Sequence, residues 1–472
     1  MSTEATLRTI AARFPRRERT RLRAVYEHGV RHLSIIKRRT GEHYSQHGFE
    51  VALTLNEASP PLSLLCAALL HDILVHPNGE SLLSASPLTN EERKLVEQMH
   101  MLRRLHIDEN TADLDQVIVA FTTHEHLLPL RMAHRLNDVR HLSRFQSTLQ
   151  RQIANETLHM YTAIAGRLGM IRWREDMENI CFESLQPLTA KRLQKRFQQR
   201  LPLDKICLRQ GVKHLQKELR KNNISAQLEG RIKSLYSTYR KMVLKRRPFE
   251  ELTDRLAIRV IVPTVMDCYR ALAIIHAVLH PIPGKLKDYI GAPKENGYRS
   301  IHTVVYPSPG ITEMPIEIQI RTEAMHRDCL FGNIAHDEYK GALYALTAKP
   351  ARVNLVRNLE SLREDAHSPK QFEEVLRKYF SDRHIVLFDD RNNIYHLKAP
   401  ATALDFAYHA FPQRWKKMKK VIINGRVQPL STRLRDGDTV EARFGIRSAM
   451  NDEWMKACLH RDTKKALKEG LK

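Results

Sequence analysis

The segment that most constrains the fold is Pro315-Ile316-Glu317-Ile318-Gln319-Ile320-Arg321-Thr322. Strict alternation puts Ile316, Ile318 and Ile320 on one face of an extended chain and Glu317, Gln319 and Arg321 on the other. Such a strand buries one face in a core and shows a carboxylate, an amide and a guanidinium to a cleft. Upstream, Asp254 heads a second β-rich run from Arg255 to Val262. Two strands that each offer one carboxylate suit Mg²⁺ held against a polyphosphate, because Mg²⁺ usually takes one or two carboxylates plus substrate oxygens. Between the strands, Lys285, Lys287 and Lys294 surround Tyr289 and Tyr298, in loops shaped by Pro281, Pro283, Pro293 and Gly297. Cations beside aromatic rings suit a nucleotide, with charge for the phosphates and a ring face for the base. On composition alone, the same residues equally describe an ordinary strand beside a basic solvated loop.

A wider window adds a resemblance. Arg231, Lys233, Tyr239 to Met242, the Asp254 strand, Asp267-Cys268-Tyr269, Pro281 to Tyr289, Asn296 to His302 and Glu317 to Thr322 occur in one order. This series resembles the synthetase domain of the RelA/SpoT homologues, the enzymes of the alarmones guanosine tetra- and pentaphosphate. The resemblance implies an α/β nucleotidyltransferase-like domain with a mixed sheet over residues 231–345. It also implies GTP diphosphokinase activity in the stringent response, moving the β,γ-diphosphate of ATP to the 3′-hydroxyl of GTP or GDP. Asp254 and Glu317 would be the catalytic carboxylates: Asp254 the principal Mg²⁺ ligand, Glu317 the base and metal partner. Arg231, Lys233, Lys241 and Arg259 would grip ATP, and Lys285, Lys287 and Lys294 the phosphates. Tyr298 would stack on the acceptor guanine with His302 on the phosphate side, and Asn296, Gln319 and Arg321 complete the nucleotide-binding set. The chemistry matches: the entering hydroxyl needs a base, and the transferred group must shed charge onto a metal and cations. Two departures, Lys285-Leu286-Lys287-Asp288 for the family's Arg-Phe-Lys-Asp and Ile334-Ala335-His336-Asp337 for its Ala-Ala-His-Trp, lose a planar fork and rings. They are expected to tune activity and leave the metal pair untouched.

Residues 1–185 read as nearly all helix, with apolar residues at three- and four-residue spacing, as in Leu62 to Leu70 and Leu158, Tyr161, Ile164, Leu168. His71-Asp72 follows the first of these, with His47 upstream and His134 downstream. Adjacent His-Asp plus two remote histidines is a donor set for a divalent ion. In a chain with 24 histidines, such a pair also arises incidentally. Arg38 to Tyr44, His47, Ala67 to Asp72, Met132 to Asp138 and Ala154 to Gly169 resemble the HD hydrolase domain that precedes the synthetase in long family members. There, the resemblance implies a metal site at His47, His71, Asp72 and His134, with Mn²⁺ as the ion. Yet the family's Glu-Asp pair is Val75-His76 here, its later ligand Asp falls at His134, and its His-Asn falls at Asn137-Asp138. Without carboxylates to activate water, the domain is expected to be an inactive hydrolase. A bifunctional synthetase/hydrolase with altered ligands is the alternative.

Residues 186–230 read as a basic helical connector with an apolar stripe, and residues 346–382 as a helical linker. Over residues 383–445, Ile385 to Phe388 and Ile394 to Leu397 flank a hairpin turn, a helix follows near Ala403 to Phe411, and two further strands come after it. This resembles the β-grasp TGS domain, which implies contact with uncharged tRNA or the ribosome. The run Arg414, Lys416, Lys417, Lys419, Lys420 suits phosphate and equally suits a solvated surface. Residues 446–472 are expected to form a helical tail, and the later modules of long relatives do not follow in this sequence. At 472 residues the length suggests about three domains. A net charge of +24 favours nucleotides, nucleic acid or ribosomes as partners. Six scattered cysteines without C-x-x-C spacing fit reduced thiols. With no signal peptide and no apolar run near the ~20 residues of a membrane span, the expected location is cytoplasmic. Two further alternatives remain: diphosphate transfer to a tRNA 3′ end, and a catalytically silent nucleotide- or tRNA-binding regulator.

Overall fold

The computed structural model describes residues 3–104, 126–245, 248–249, 252, 255–294, 297–310, 314–331, 383–390, 394–435 and 438–470. Asp254 and Asn296, the linker over 346–382 and the Ile334 to Asp337 stretch lie outside the described residues. The chain divides into two compact units, Met1–Leu286 with Asn296–Phe380, and Lys287–Glu295 with Ser381–Lys472.

The first unit opens with helices α1 (Thr3–Ala11), α2 (Arg16–Leu33), α3 (Tyr44–Asn56), α4 (Leu62–Leu70), α5 (Gly79–Ser84), α6 (Asn90–Arg104), α7 (Leu127–Arg140), α8 (Ser147–Glu156), α9 (Thr162–Arg167) and α10 (Ile171–Leu185). Helix α4 is apolar around nearly its whole circumference and buries every residue but Ser63, so it forms the centre about which the others pack. Close approach of α3 to it depends on Gly48: a Cβ there would lie 2.6 Å from the Leu69 carbonyl oxygen. That contact brings His47 opposite the end of α4.

The basic connector is one long helix, α11 (Pro187–Lys221), which buries Leu193, Leu208, Leu215 and Leu219. A mixed sheet follows, from β1 (Gln227–Ile232), β2 (Leu256–Val262), β3 (Ile301–Val305) and β4 (Ile316–Thr322), with α12 (Leu235–Lys245) after β1, α13 (Val265–Val278) after β2 and α14 (Glu323–Phe331) after β4. Strand order is β1-β2-β4-β3, with β2 and β4 parallel and the outer pairs antiparallel. The α/β domain with a mixed sheet is therefore as the alternating pattern and the resemblance imply. Helix α11 crosses the apolar sheet face, where Gly211 leaves room for Ile258: a Cβ would meet its Cδ1 at 2.8 Å. Ile316, Ile318 and Ile320 are buried, as their alternation requires.

In the second unit, β5 (Arg383–Phe388) and β6 (Ile394–Ala399) form the expected hairpin, α15 (Ala403–Ala410) follows, and β7 (Met418–Ile423), β8 (Arg426–Gln428) and β9 (Val440–Phe444) form a sheet in the order β9-β7-β8. Phe406, Leu387, Leu397 and Val421 fill its core. Asp405 completes a capping box with Thr402 and also accepts from the amides of Leu459 and His460, so one buried carboxylate fastens the tail helices α16 (Trp454–Ala457) and α17 (Arg461–Gly470) to this small domain.

Candidate active site and metal cluster

The face of β4 opposite its isoleucines carries a connected polar row. Register pairs His302 with Gln319 and Val304 with Glu317, which puts His302, Glu317, Gln319 and Arg321 on one side of the sheet. His302 Nδ1 lies 2.8 Å from Glu317 Oε1, and its Nε2 is 2.6 Å from the Tyr298 hydroxyl. Gln319 donates to Glu317 at 3.4 Å and accepts from Arg321 at 3.3 Å. Burial alone would raise the Glu317 carboxyl, but the hydrogen bond and charge of His302, with Lys233 and Gln319, outweigh it and hold the group down to about 2. Glu317 is thus a carboxylate at any working pH. A carboxylate this acidic suits a metal ligand or the charge partner of His302 better than a proton acceptor. Burial also pushes the Tyr298 phenol above its usual value, so it keeps its proton beside His302 Nε2.

The neighbouring strands bring cations to the same face. Arg259 of β2 sits opposite Gln319, and burial beside Arg231 and Arg321 pulls its guanidinium down to about 10. Glu229 lies 3.7 Å from Arg259, and the gathering of arginines on one face suits an anion. Arg231 at the end of β1 is already engaged: it pairs with Glu175 of α10. The same helix stacks Phe182 on Tyr239 at 4.6 Å, places Glu178 4.0 Å from Arg240 and accepts the Tyr236 amide at Asn179.

Other expected site residues are spread more widely. Lys233 follows β1 and acts on Glu317 through its charge, and Lys241 is half-buried on α12. Lys285 is exposed in the turn after Gly284. Lys287 and Lys294 belong to the second compact unit, where their ammonium groups lie 6.0 and 4.4 Å from the ring centre of Tyr289. Tyr289 itself is buried. Its face is therefore occupied by lysines and is not an open platform for a base.

In the helical region, His47 on α3, His71 and Asp72 at the end of α4, and His134 on α7 come together, with one donor atom from each within 4.8 Å of the others, all four buried. His71 Nδ1 donates to the Ala68 carbonyl at 2.7 Å. His47 Nδ1 lies 2.9 Å from Asn137 Oδ1 and 3.1 Å from Arg38 Nη1, and Asn137 in turn donates through Nδ2 to Glu50, which turns its amide oxygen toward the imidazole. His134 Nδ1 is 3.2 Å from Asp138 Oδ2. These partners leave the Nε2 atoms facing the middle, where those of His47 and His134 are buried without a hydrogen bond. Burial holds His47 well below its ordinary value and His134 down to about 4, so both are neutral. Neutral imidazoles with orphaned nitrogens beside a carboxylate fit a divalent metal ion.

Comparison with known proteins points to the family. The model for the "region found in RelA / SpoT proteins" matches residues 230–343, an HD domain model matches 31–171, and a TGS domain model matches 385–442. The chain therefore carries a RelA/SpoT region together with HD and TGS domains, and its curated relatives match it over most of its length. A probable guanosine-3′,5′-bis(diphosphate) 3′-pyrophosphohydrolase of Synechocystis sp. is 32% identical over 440 residues, covering 89% of this chain and 56% of that protein. GTP pyrophosphokinase rsh of Brucella ovis is 32% identical over 428 residues, with the same coverage. A GTP pyrophosphokinase of Streptomyces antibioticus is 31% identical over 462 residues, covering 93% of this chain and 54% of that protein. The chain spans about half the length of the curated relatives it matches. The crystal structure of small alarmone synthetase 1 from Bacillus subtilis bound to its product pppGpp covers 36% of this chain and 100% of that one, at 24% identity and a TM-score of 0.27. Likeness at that level places no ligand here.

Within the RelA/SpoT frame, sequence reasoning missed three residues. Glu175, from the HD side, meets Arg231 of the synthetase domain; Asp138 backs His134; and Arg38 joins Asp138 at 2.9 Å and Glu42 at 2.8 Å. The last two carried a local signal, the i, i+4 spacing of His134 with Asp138 and of Arg38 with Glu42; Glu175 carried none. No helix among the described residues is long and apolar enough to cross a membrane.

Proposed function

We propose that this chain is an ATP:GTP (or GDP) 3′-diphosphotransferase working in the cytoplasm. The observation that carries the reading is the continuous row Tyr298–His302–Glu317–Gln319–Arg321 beside Arg259 and Arg231. In the reaction, the 3′-hydroxyl of the acceptor attacks the β-phosphorus of ATP, the bond to the α-phosphate oxygen breaks, and AMP leaves. Glu317, with Asp254, would hold Mg²⁺, which draws charge from the transferred group. The entering hydroxyl's proton would pass to His302 Nε2, with the hydroxyl taking the place of the Tyr298 contact there, while the Glu317 carboxylate holds Nδ1. Arg231, Arg259, Lys233, Lys241 and the lysines Lys285, Lys287 and Lys294 serve the phosphates, while Asn296, Gln319 and Arg321 orient the nucleotides and Tyr298 faces the guanine. The TGS domain, with exposed Lys416, Lys417, Lys419 and Lys420, would meet the phosphates of uncharged tRNA or the ribosome.

The HD domain would bind a divalent ion through His47, His71, Asp72 and His134 without hydrolysing alarmone. Val75 stands where a carboxylate would serve water, and the nearby carboxylates Glu42 and Asp138 are both engaged by Arg38. Transfer of label from γ-labelled ATP to GDP, GTP or total tRNA, in wild type and Glu317→Gln, tests the synthetase reading. Label on guanine nucleotide that vanishes in the variant is the expected result. Label on tRNA alone would replace the acceptor, release of pyrophosphate from added alarmone would restore the hydrolase, and no transfer to any acceptor would leave a binding protein.

A further inference from the structure

We infer that His47, His71, Asp72 and His134 hold Zn²⁺ in a closed structural site, in place of the Mn²⁺ of an open hydrolytic one. This rests on the metal reading of the cluster given above and goes further, to the class of the ion and its role.

The donor set is the first ground. Three imidazoles and one carboxylate make a nitrogen-rich shell, which suits Zn²⁺, whereas Mn²⁺ is favoured by carboxylate, carbonyl and water oxygens. The sequence change that matters is His134, a third imidazole at the position where the family resemblance calls for a carboxylate. Each imidazole is oriented from behind by its own partner: Ala68 carbonyl for His71, Asn137 for His47 and Asp138 for His134. Backing of this kind fixes both the ring and the tautomer that points Nε2 at the ion. The ring centres stand 4.8 to 5.2 Å apart in all three pairs, so the histidines converge on one point.

Convergence of the carboxylate is the second ground. Asp72 Oδ2 lies 3.5 Å from His71 Nε2 and 3.8 Å from His47 Nε2, so the oxygen donor faces the same point as the imidazoles in a core that excludes water.

Closure is the third. Structural zinc sites use four protein donors, whereas catalytic ones use three and keep a position for water. Four donors are present here, and among the described residues the next carboxylates, Glu42 and Asp138, are held by Arg38 and cannot take a proton from water. The ion's role is mechanical. It ties α3, the end of α4 and α7 into one body.

The test uses the full chain purified without added metal, with metal content measured by mass spectrometry and thermal unfolding followed before and after chelator dialysis. About one Zn²⁺ per chain, a lower melting temperature after its removal, and the intense visible absorption of four-coordinate Co²⁺ on substitution are expected. Asn137→Ala, which leaves all four donors in place, should weaken zinc retention ~10- to 100-fold, and His134→Asp should move preference toward Mn²⁺. Stoichiometric Mn²⁺ with no zinc, or a weak six-coordinate Co²⁺ spectrum, would overturn the inference and leave the metal reading standing. A chain that takes up no ion, and whose melting is unmoved by added Zn²⁺, would overturn both. If His134→Asp does not fold, the Co²⁺ spectrum of the unaltered chain still decides.

Discussion

The two polar clusters of this chain draw on overlapping residue types and differ in what surrounds them. In the HD domain, His47, His71, Asp72 and His134 are sealed among helices, and the carboxylates around them are tied up by Arg38. On the synthetase sheet, His302 and Glu317 are only half-buried, and the arginines beside them, though Arg231 meets Glu175 and Arg259 meets Glu229, gather on one face. A sealed cluster meets only the side chains that pack around it and behaves as part of the core. An open cluster rich in cations is accessible to an anion. The contrast teaches that burial, more than residue identity, decides which polar cluster a ligand can reach.

The sharpest way to break the contrast is Glu317→Gln. Loss of the carboxylate should lower diphosphate transfer by ~10²–10⁴-fold with little change in melting temperature, read by labelled-nucleotide assay. If activity survives, the open cluster is not the working one.

Next in size is the buried pair Arg255–Asp204, 2.7 Å apart beneath the sheet. Asp204→Ala strands a guanidinium in the core and should cost ~3–5 kcal/mol, measured by denaturant unfolding of the full chain. The expected loss falls on the synthetase sheet, with metal retention in the HD domain unchanged.

Between the clusters runs α10, whose Glu175 occupies Arg231. Glu175→Gln should release that arginine for ATP, lowering KM for ATP by ~1.4- to 5-fold, the equivalent of the ~0.2–1 kcal/mol of a partly exposed ion pair, with kcat little changed. An unaltered KM would mean that the pair is only architectural.

A pH dependence is also expected. Burial pushes the Asp328 carboxyl up to about 7, against the nearby Arg299 and Arg327. A raised folded value favours the protonated form, so this contribution to stability is fully present below the ordinary aspartate range and is lost as pH rises through about 7. Asp328→Asn should therefore raise the melting temperature at pH 8 and not at pH 4. Glu317, held near 2, runs the other way: its contribution is present above the ordinary glutamate range and is lost as pH falls through about 2.

Much of both sites was legible in advance because it is local. Alternation of two residues placed Glu317, Gln319 and Arg321 together on one side of β4, and helical spacing announced α4 as a core helix ending in His71-Asp72. The hairpin of the TGS domain was readable from its turn residues. Tyr289 was not legible in this way. Neighbouring lysines and an aromatic ring in sequence look the same whether the ring is open to a base or, as here, buried with lysines over it.

The sequence by itself determined which residues share a strand or helix face, and therefore the mixed sheet, the helical domain and the polar row on β4. Periods of 2 and 3.6 residues are properties of the backbone and survive without any knowledge of neighbours. Only the tertiary structure decided that Glu175 would hold Arg231, that Asn137 would back His47, and that Asp405 would fasten the tail helices. Those pairings depend on which faces meet when distant elements bury their apolar surface, and the spacing of residues along the chain carries no record of that choice.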